Sequence, residues 1–149
     1  MMLQFYKMTG AENDFVLVDN RDLSLSDVLT RENIADLCNR RFGVGADGLI
    51  AVEPSQSGAD VCMRQYNADG APAELNSSAA FCFTAFVDFL MEGDLQEISI
   101  ETTAGMLKGM VNADDSVTIH PASPQMLAGE SSTGAALIVF RGEVIICEA

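Results

Sequence analysis

From Ala79 to Leu90 the chain carries one charge, Asp88. Its apolar residues Ala80, Phe81, Phe83, Phe86, Val87, Phe89 and Leu90 fall on every face of a helix. A helix of that kind has no side to offer water and has to be enclosed by other elements. Gly93 supplies its stop. Directly before it stands the polar run Asn76-Ser77-Ser78. Polar side chains at a helix start are caps for its free N–H groups, an anion site or a reactive site.

The segments around this helix read mostly as strands. Leu3 to Met8 and Phe15 to Asp19 are joined through Thr9-Gly10-Ala11-Glu12-Asn13. Leu49 to Val52 follows the turn Gly43-Val44-Gly45-Ala46-Asp47-Gly48, and Asp60 to Tyr66 ends in the turn Asn67-Ala68-Asp69-Gly70. Ile98 to Thr103, Met106 to Asn112 and Val117 to His120 read as a meander. A second helix, capped by Thr30, is expected over 31–41, with Arg40 and Arg41 at its C-terminal end. Ala136 to Phe140 and Val144 to Cys147 read as a hairpin about Arg141-Gly142. The sum is one α+β domain with an antiparallel-rich sheet wrapped around a buried hydrophobic helix. Its expected parts are a main body over 1–120, a Pro-, Gly- and Ser-rich linker over 121–134 and closing strands over 135–149.

Charge narrows the partners. The chain has 149 residues, with 22 acidic against 8 basic side chains and a net charge of −14. That excludes nucleic acid and anionic membranes, whose phosphates would be repelled. No basic segment followed by an apolar one marks a signal peptide, and no apolar run reaches membrane-spanning length. Cys38, Cys62, Cys82 and Cys147 are scattered without a CxxC and read as reduced thiols of a cytoplasmic protein. The single histidine, His120, has no neighbours at ligand spacing, so no metal is expected. GVGADG lacks both the GxGxxG pattern and a P-loop lysine, so no nucleotide site is expected either.

Three motifs in order resemble the diaminopimelate epimerase family. Phe5-Tyr6-Lys7-Met8 with Asn13-Asp14-Phe15 resembles FxKMxGxGNDF. Residues 42–48 match FGVGxDG, and Asn67-Ala68-Asp69-Gly70 with Ala73-Glu74 resembles NADGSxAE. Glu101-Thr102-Thr103-Ala104-Gly105 resembles a strand and turn that follow. The likeness runs from residue 3 to about 124, then resumes at Thr133 to Glu148, which is similar to the family's closing strands. The resemblance implies a first domain whose second domain is replaced by a short linker.

The family epimerises an amino-acid α-carbon without a cofactor, using two cysteines on opposite faces, one from each domain. Such chemistry needs two groups titrating near the working pH. A thiol at a helix N-terminus meets that need. By the resemblance, the first cysteine falls on Asn76, the anion-cradling GNG on Ser77, Ser78 and Ala79, and an arginine on Phe81. Only a structural cysteine remains, as Cys82. An amide does not titrate near neutrality, and no histidine stands near the serines in sequence to activate them. Glu12 stands where the family has glycine.

The resemblance thus implies a catalytically silent domain, engineered or degenerate, with no catalytic residue and with Asn13, Asn67, Ser77 and Ser78 as a vestigial substrate site. For Asn13 and Asn67 the competing reading is turn chemistry, and for Ser77 and Ser78 helix capping. Cys82 reads as packing and His120 as a strand-end surface residue. Two alternatives remain open. One is a working isomerase whose site is completed by a homodimer through the former interdomain face, where Phe81 suits apolar contact, or which uses Glu12 as a carboxylate base. The other is a binding module for a small amino acid or a protein.

Overall fold

The apolar residues of the central strands alternate between two cores. In β2 (Asp14–Asp19) and β3 (Gly48–Glu53), Phe15, Leu17, Ile50 and Val52 join one cluster, and Val16, Val18, Leu49 and Ala51 join the other. A strand with a helix over each face has no polar side, which is why these two read as unbroken apolar runs. The first cluster holds the long helix α2 (Ser77–Leu90), the second the short helix α1 (Arg31–Cys38).

The computed structural model describes residues 1–10, 12–127 and 132–146. Besides β2 and β3, its strands are β1 (Met2–Thr9), β4 (Val61–Asn67), β5 (Ile98–Thr102), β6 (Gly105–Val111), β7 (Val117–Pro121), β8 (Thr133–Gly134) and β9 (Leu137–Ile145). They form one mixed sheet, a half-barrel, in the order β8-β7-β6-β5-β4-β3-β2-β1-β9. β2–β3 and β4–β5 pair in parallel, the others antiparallel. The parallel pair β4–β5 is short, Val61 with Ile100 and Cys62 with Glu101. Beyond it the segment at Pro72 and Ala73 takes over the edge of β4: Tyr66 bridges Pro72, and Ala73 N–H donates to the Gln65 carbonyl at 2.9 Å.

α2 is buried from Ser77 to Thr84, and again at Phe86 and Val87. Its last turn emerges, and exposed Phe89 leans on the Tyr6 ring with centroids 5.5 Å apart. Enclosure therefore holds for most of the helix and ends where Asp88 appears. Each fully buried phenylalanine is worth about 1.5–3 kcal/mol in transfer free energy, and Phe81, Phe83 and Phe86 are three of them. No helix of the described residues is long and apolar enough to cross a membrane.

Three local expectations change. α1 stops at Cys38, not at 41, because Asn39 turns extended and its Oδ1 accepts from the N–H groups of Arg41 (2.8 Å) and Phe42 (3.0 Å). The Arg141-Gly142 hairpin does not form. β9 is one strand that pairs with β1 from Met2–Ile145 to Thr9–Leu137, with a register shift at Lys7/Met8. Gly142 lies opposite Phe5 in that ladder, where a full strand satisfies the outer edge of β1 and a hairpin would leave half of it open. In the segment 121–134, Pro121 ends β7, Pro124–Leu127 makes a 3-10 turn and Thr133–Gly134 adds a strand. Residues 128–131 of that segment, Ala11 of the first turn, and 147–149 with Cys147 lie outside the described residues.

Candidate functional site

The helix start at Asn76 meets the β1–β2 turn. Asn76 is the N-cap of α2, with extended backbone, and its Oδ1 accepts from Ala79 N–H at 2.8 Å. Its own carbonyl receives Ala80 N–H at 3.0 Å. Ser78, buried, accepts through Oγ from Glu12 N–H at 3.3 Å, so the serine ties the turn to the helix. Gly10 allows this close approach: a Cβ there would stand 2.8 Å from the Ser78 carbonyl oxygen and 3.2 Å from Cys82 Sγ. Ser77 is buried beside it. The cap is thus made by Asn76, while Ser78 works across the turn.

Cys82 lies one turn deeper, fully buried, and burial pushes its thiol up to about 12. A thiol of that kind is protonated at neutral pH and is no base. Asn76 and Ser78 do not titrate in the working range. Glu12 is exposed. The helix start therefore gathers hydrogen-bonding groups around a thiol that burial keeps protonated.

Beside the turn sits a charge cluster that sequence reasoning missed. Lys7 is buried, and its ammonium donates to the Gly45 carbonyl and pairs with Asp14 Oδ2 at 2.8 Å. Arg40 holds both Asp14 oxygens, at 3.0 and 2.8 Å, and reaches Asp47 Oδ1 at 3.0 Å. The Arg40 guanidinium, with the Lys7 ammonium behind it, keeps the Asp14 carboxyl well below the usual carboxylate range. Asn13 belongs to this cluster: its Nδ2 donates to Asp47 Oδ2 at 3.2 Å. The FGVGADG turn is thereby clamped onto the start of β2. The available signal was Lys7 itself, a cation in alternation with Leu3 and Phe5 on the buried face of its strand, which needs a buried partner.

Asn67 ends β4. Its N–H donates to the Ala71 carbonyl at 2.8 Å and its carbonyl accepts from Gly70 at 2.9 Å, which is turn chemistry. Register places it in the neighbourhood of the others, since Phe15, Gly48 and Asn67 are opposed across β2, β3 and β4. Asn13, Asn67 and the α2 start thus share one end of the sheet. His120 is exposed on β7, opposite Lys108.

Phe81 is 1% exposed, and its ring lies against the backbone of Gly134, where a Cβ would come within 2.3 Å of Cε2. It is spent inside the monomer and is not presented to a second copy. Two concavities are lined in part by the loop before α2. One, of about 360 Å³, is lined by Arg64, Gln65, Glu74, Leu75, Thr102 and Thr103 among others. The second, of about 410 Å³, shares Glu74, Leu75 and Thr103. Neither is lined by Asn13, Asn67, Asn76, Ser77 or Ser78. Among the described residues, Gln65 Oε1 is buried and meets no donor. No group of three potential metal ligands occurs among the described residues.

The mixed sheet with its two helices is a fold seen in other solved structures. It superposes on a hydroxyproline epimerase from Agrobacterium vitis with TM-score 0.59 at 17% identity, covering 79% of this chain and 41% of that one. It also superposes on a phenazine biosynthesis protein of the PhzF family from Bacillus anthracis, with TM-score 0.55 at 18% identity, covering 80% and 40%. Sequence takes the assignment further: the chain belongs to the diaminopimelate epimerase family, whose model matches residues 5–127. It is 43% identical over 132 residues to the diaminopimelate epimerase of Synechococcus sp. (strain JA-3-3Ab), covering 88% of this chain and 46% of that protein. It is 36% identical over 133 residues to that of Trichodesmium erythraeum, covering 89% and 48%. The chain spans about half the length of the curated relatives it matches.

Proposed function

We propose that this chain is a diaminopimelate-epimerase-type isomerase domain that keeps the fold and carries no epimerase activity by itself. The observation that supports this most is the chemistry of the α2 start. At the position that resembles the family's catalytic cysteine, Asn76 uses its side chain as an N-cap for Ala79 N–H. Epimerisation needs a base on one face of the α-carbon and an acid on the other. Asn76 supplies neither, and Cys82 is held too deep and too weakly acidic to replace it. In this reading the segment 121–134 stands in the place of a second domain and its acid/base group, and β9 returns the chain to β1.

Asn13, Asn67, Ser77 and Ser78 are, in the same reading, remnants of a substrate site turned to structural use. Asn13 serves the Asp47 clamp and Ser78 the turn. The N–H groups of Glu12 and Ala79 are already bonded within the protein, which disfavours capture of an amino-acid carboxylate there.

The test is incubation of the purified chain with diaminopimelate isomers in deuterated water, following α-proton exchange by NMR. The expected result is exchange no faster than in buffer. Epimerisation above that level would overturn the reading. Asn76→Cys is expected to create a thiol that alkylates readily, still without epimerisation, since the opposite-face acid is not supplied.

A further inference from the structure

The sheet divides beyond Cys62, and the cavity of about 360 Å³ lies at the division. β4 and β5 pair only at Val61–Ile100 and Cys62–Glu101. Past that point the Pro72–Ala73 segment holds the edge of β4, through the Tyr66–Pro72 bridge and the Ala73 N–H on the Gln65 carbonyl. Ala73, Glu74 and Leu75 line the cavity from this segment, Thr102 and Thr103 from the end of β5. Thr102 Oγ1 donates to the Gly105 carbonyl at 2.7 Å and accepts from Ala104 N–H at 3.1 Å, which closes the turn on that side. Both walls are thus set by hydrogen bonds within the protein, and the concavity exists before any ligand arrives, as ligand sites usually do.

The lining carries two acceptors with nothing to accept from. Gln65 Oε1 is buried and, among the described residues, meets no donor. The terminal torsion of a glutamine is broad, so its amide turns toward an incoming donor at little cost. A donor there removes the penalty of a buried acceptor left unpaired. Glu74 belongs to none of the ion pairs among the described residues. It lines this cavity and also the neighbouring one of about 410 Å³. The cation of the lining, Arg64, is engaged by Glu53 at 3.4 Å. The rest of the wall is apolar, with Met63 buried and Leu75 packed against the α2 core.

We propose that this cavity binds a small organic cation, a primary ammonium on a short apolar stem. The ammonium donates to Gln65 Oε1 and to the Glu74 carboxylate, and the stem lies against Met63 and Leu75. Three N–H donors and no acceptor suit a site whose free groups only accept. A carboxylate ligand would meet Glu74 with Arg64 already paired, so amino acids are disfavoured relative to the simple amine. The net charge of −14 draws cations to the molecule and repels anions. The site is separate from the helix start, since Asn13, Asn67, Asn76, Ser77 and Ser78 do not line it. The inference is independent of the proposed function.

The experiment is a titration of the full, isotope-labelled chain with n-butylammonium chloride, followed by amide chemical shifts in two-dimensional NMR. Sodium chloride at equal concentration is the control for salt. Saturable shifts clustered at Gln65, Glu74 and Thr103 are expected, with a dissociation constant on the order of millimolar, as so few heavy atoms allow. Butyramide should bind roughly tenfold more weakly, and butyrate should leave these amides unmoved. Glu74→Gln and Gln65→Leu should each weaken the ammonium by about fivefold to tenfold. Glu74 is exposed, so its variant keeps the fold and decides the matter even where Gln65→Leu does not fold. Shifts spread over the acidic surface without saturation would overturn the inference. So would butyrate binding as tightly as the ammonium, or a Glu74→Gln variant that binds it unchanged.

Discussion

Asn76 shows how much of a helix start one side chain can organise. Its side chain and backbone are both committed to the first turn of α2. Asn76→Ala should cost about 1 kcal/mol of stability, whereas Asn76→Asp keeps the acceptor and adds a charge favoured by the helix dipole. Urea unfolding of the two variants distinguishes them; a neutral alanine variant would mean that the cap is idle. Asp14 gives a pH signature. Its folded carboxyl titrates below the ordinary value of 3.8, so its contribution is present above that value and is lost as pH falls below it. Asp14→Asn should therefore be less stable than the parent at pH 7, the gap closing under acid. A gap that stays constant from neutral to acid would show that the ion pairs do not carry it. That Asn76 offers no acid or base near neutrality was legible from residue type alone. The Lys7–Asp14–Arg40–Asp47 clamp was not, because its members are far apart in sequence and meet only through the β1–β2–β3 pairing and the turn after α1.

Elements were legible where a pattern is local. The all-apolar helix, the alternating strands β5 to β7 and the Thr30 cap can each be read from a few neighbouring residues. Elements defined by a distant partner were harder. β9 looks like two strands around Arg141-Gly142, and only the continuous outer edge of β1 makes it one. α1 looks longer than it is because Asn39 takes two N–H groups that a longer helix would need. The short strand β8 is another such case, since its Gly134 is fitted to the Phe81 ring of α2. Gly134→Ala is expected to cost about 1–3 kcal/mol, as overpacking does in an enclosed site. The loss should be largely recovered by pairing it with Phe81→Leu, a double-mutant cycle read by thermal or urea unfolding. Equal losses in both backgrounds would mean that the two do not meet in solution.

At the scale of the whole molecule, two cores on either face of a single sheet leave the buried thiols without a local route to solvent. Cys38 and Cys82 are raised to about 11 and about 12 by burial. Alkylation followed by mass spectrometry should find both unmodified in the native state and modified together on unfolding, as groups exposed by global opening are. Fast labelling of Cys82 alone would reveal that the α2 start opens separately.

The β1–β9 ladder, Lys7 beside Phe140 and Leu3 beside Val144, spans nearly the whole chain. Pairing of such sequence separation slows folding, because the intervening chain has to be ordered first. During translation β1 emerges early, yet its outer edge stays open until residues 137–145 have cleared the exit tunnel. For that interval the nascent chain displays an unsatisfied strand edge, and synthesis speed through the last third sets how long it must be kept from its neighbours on the polysome.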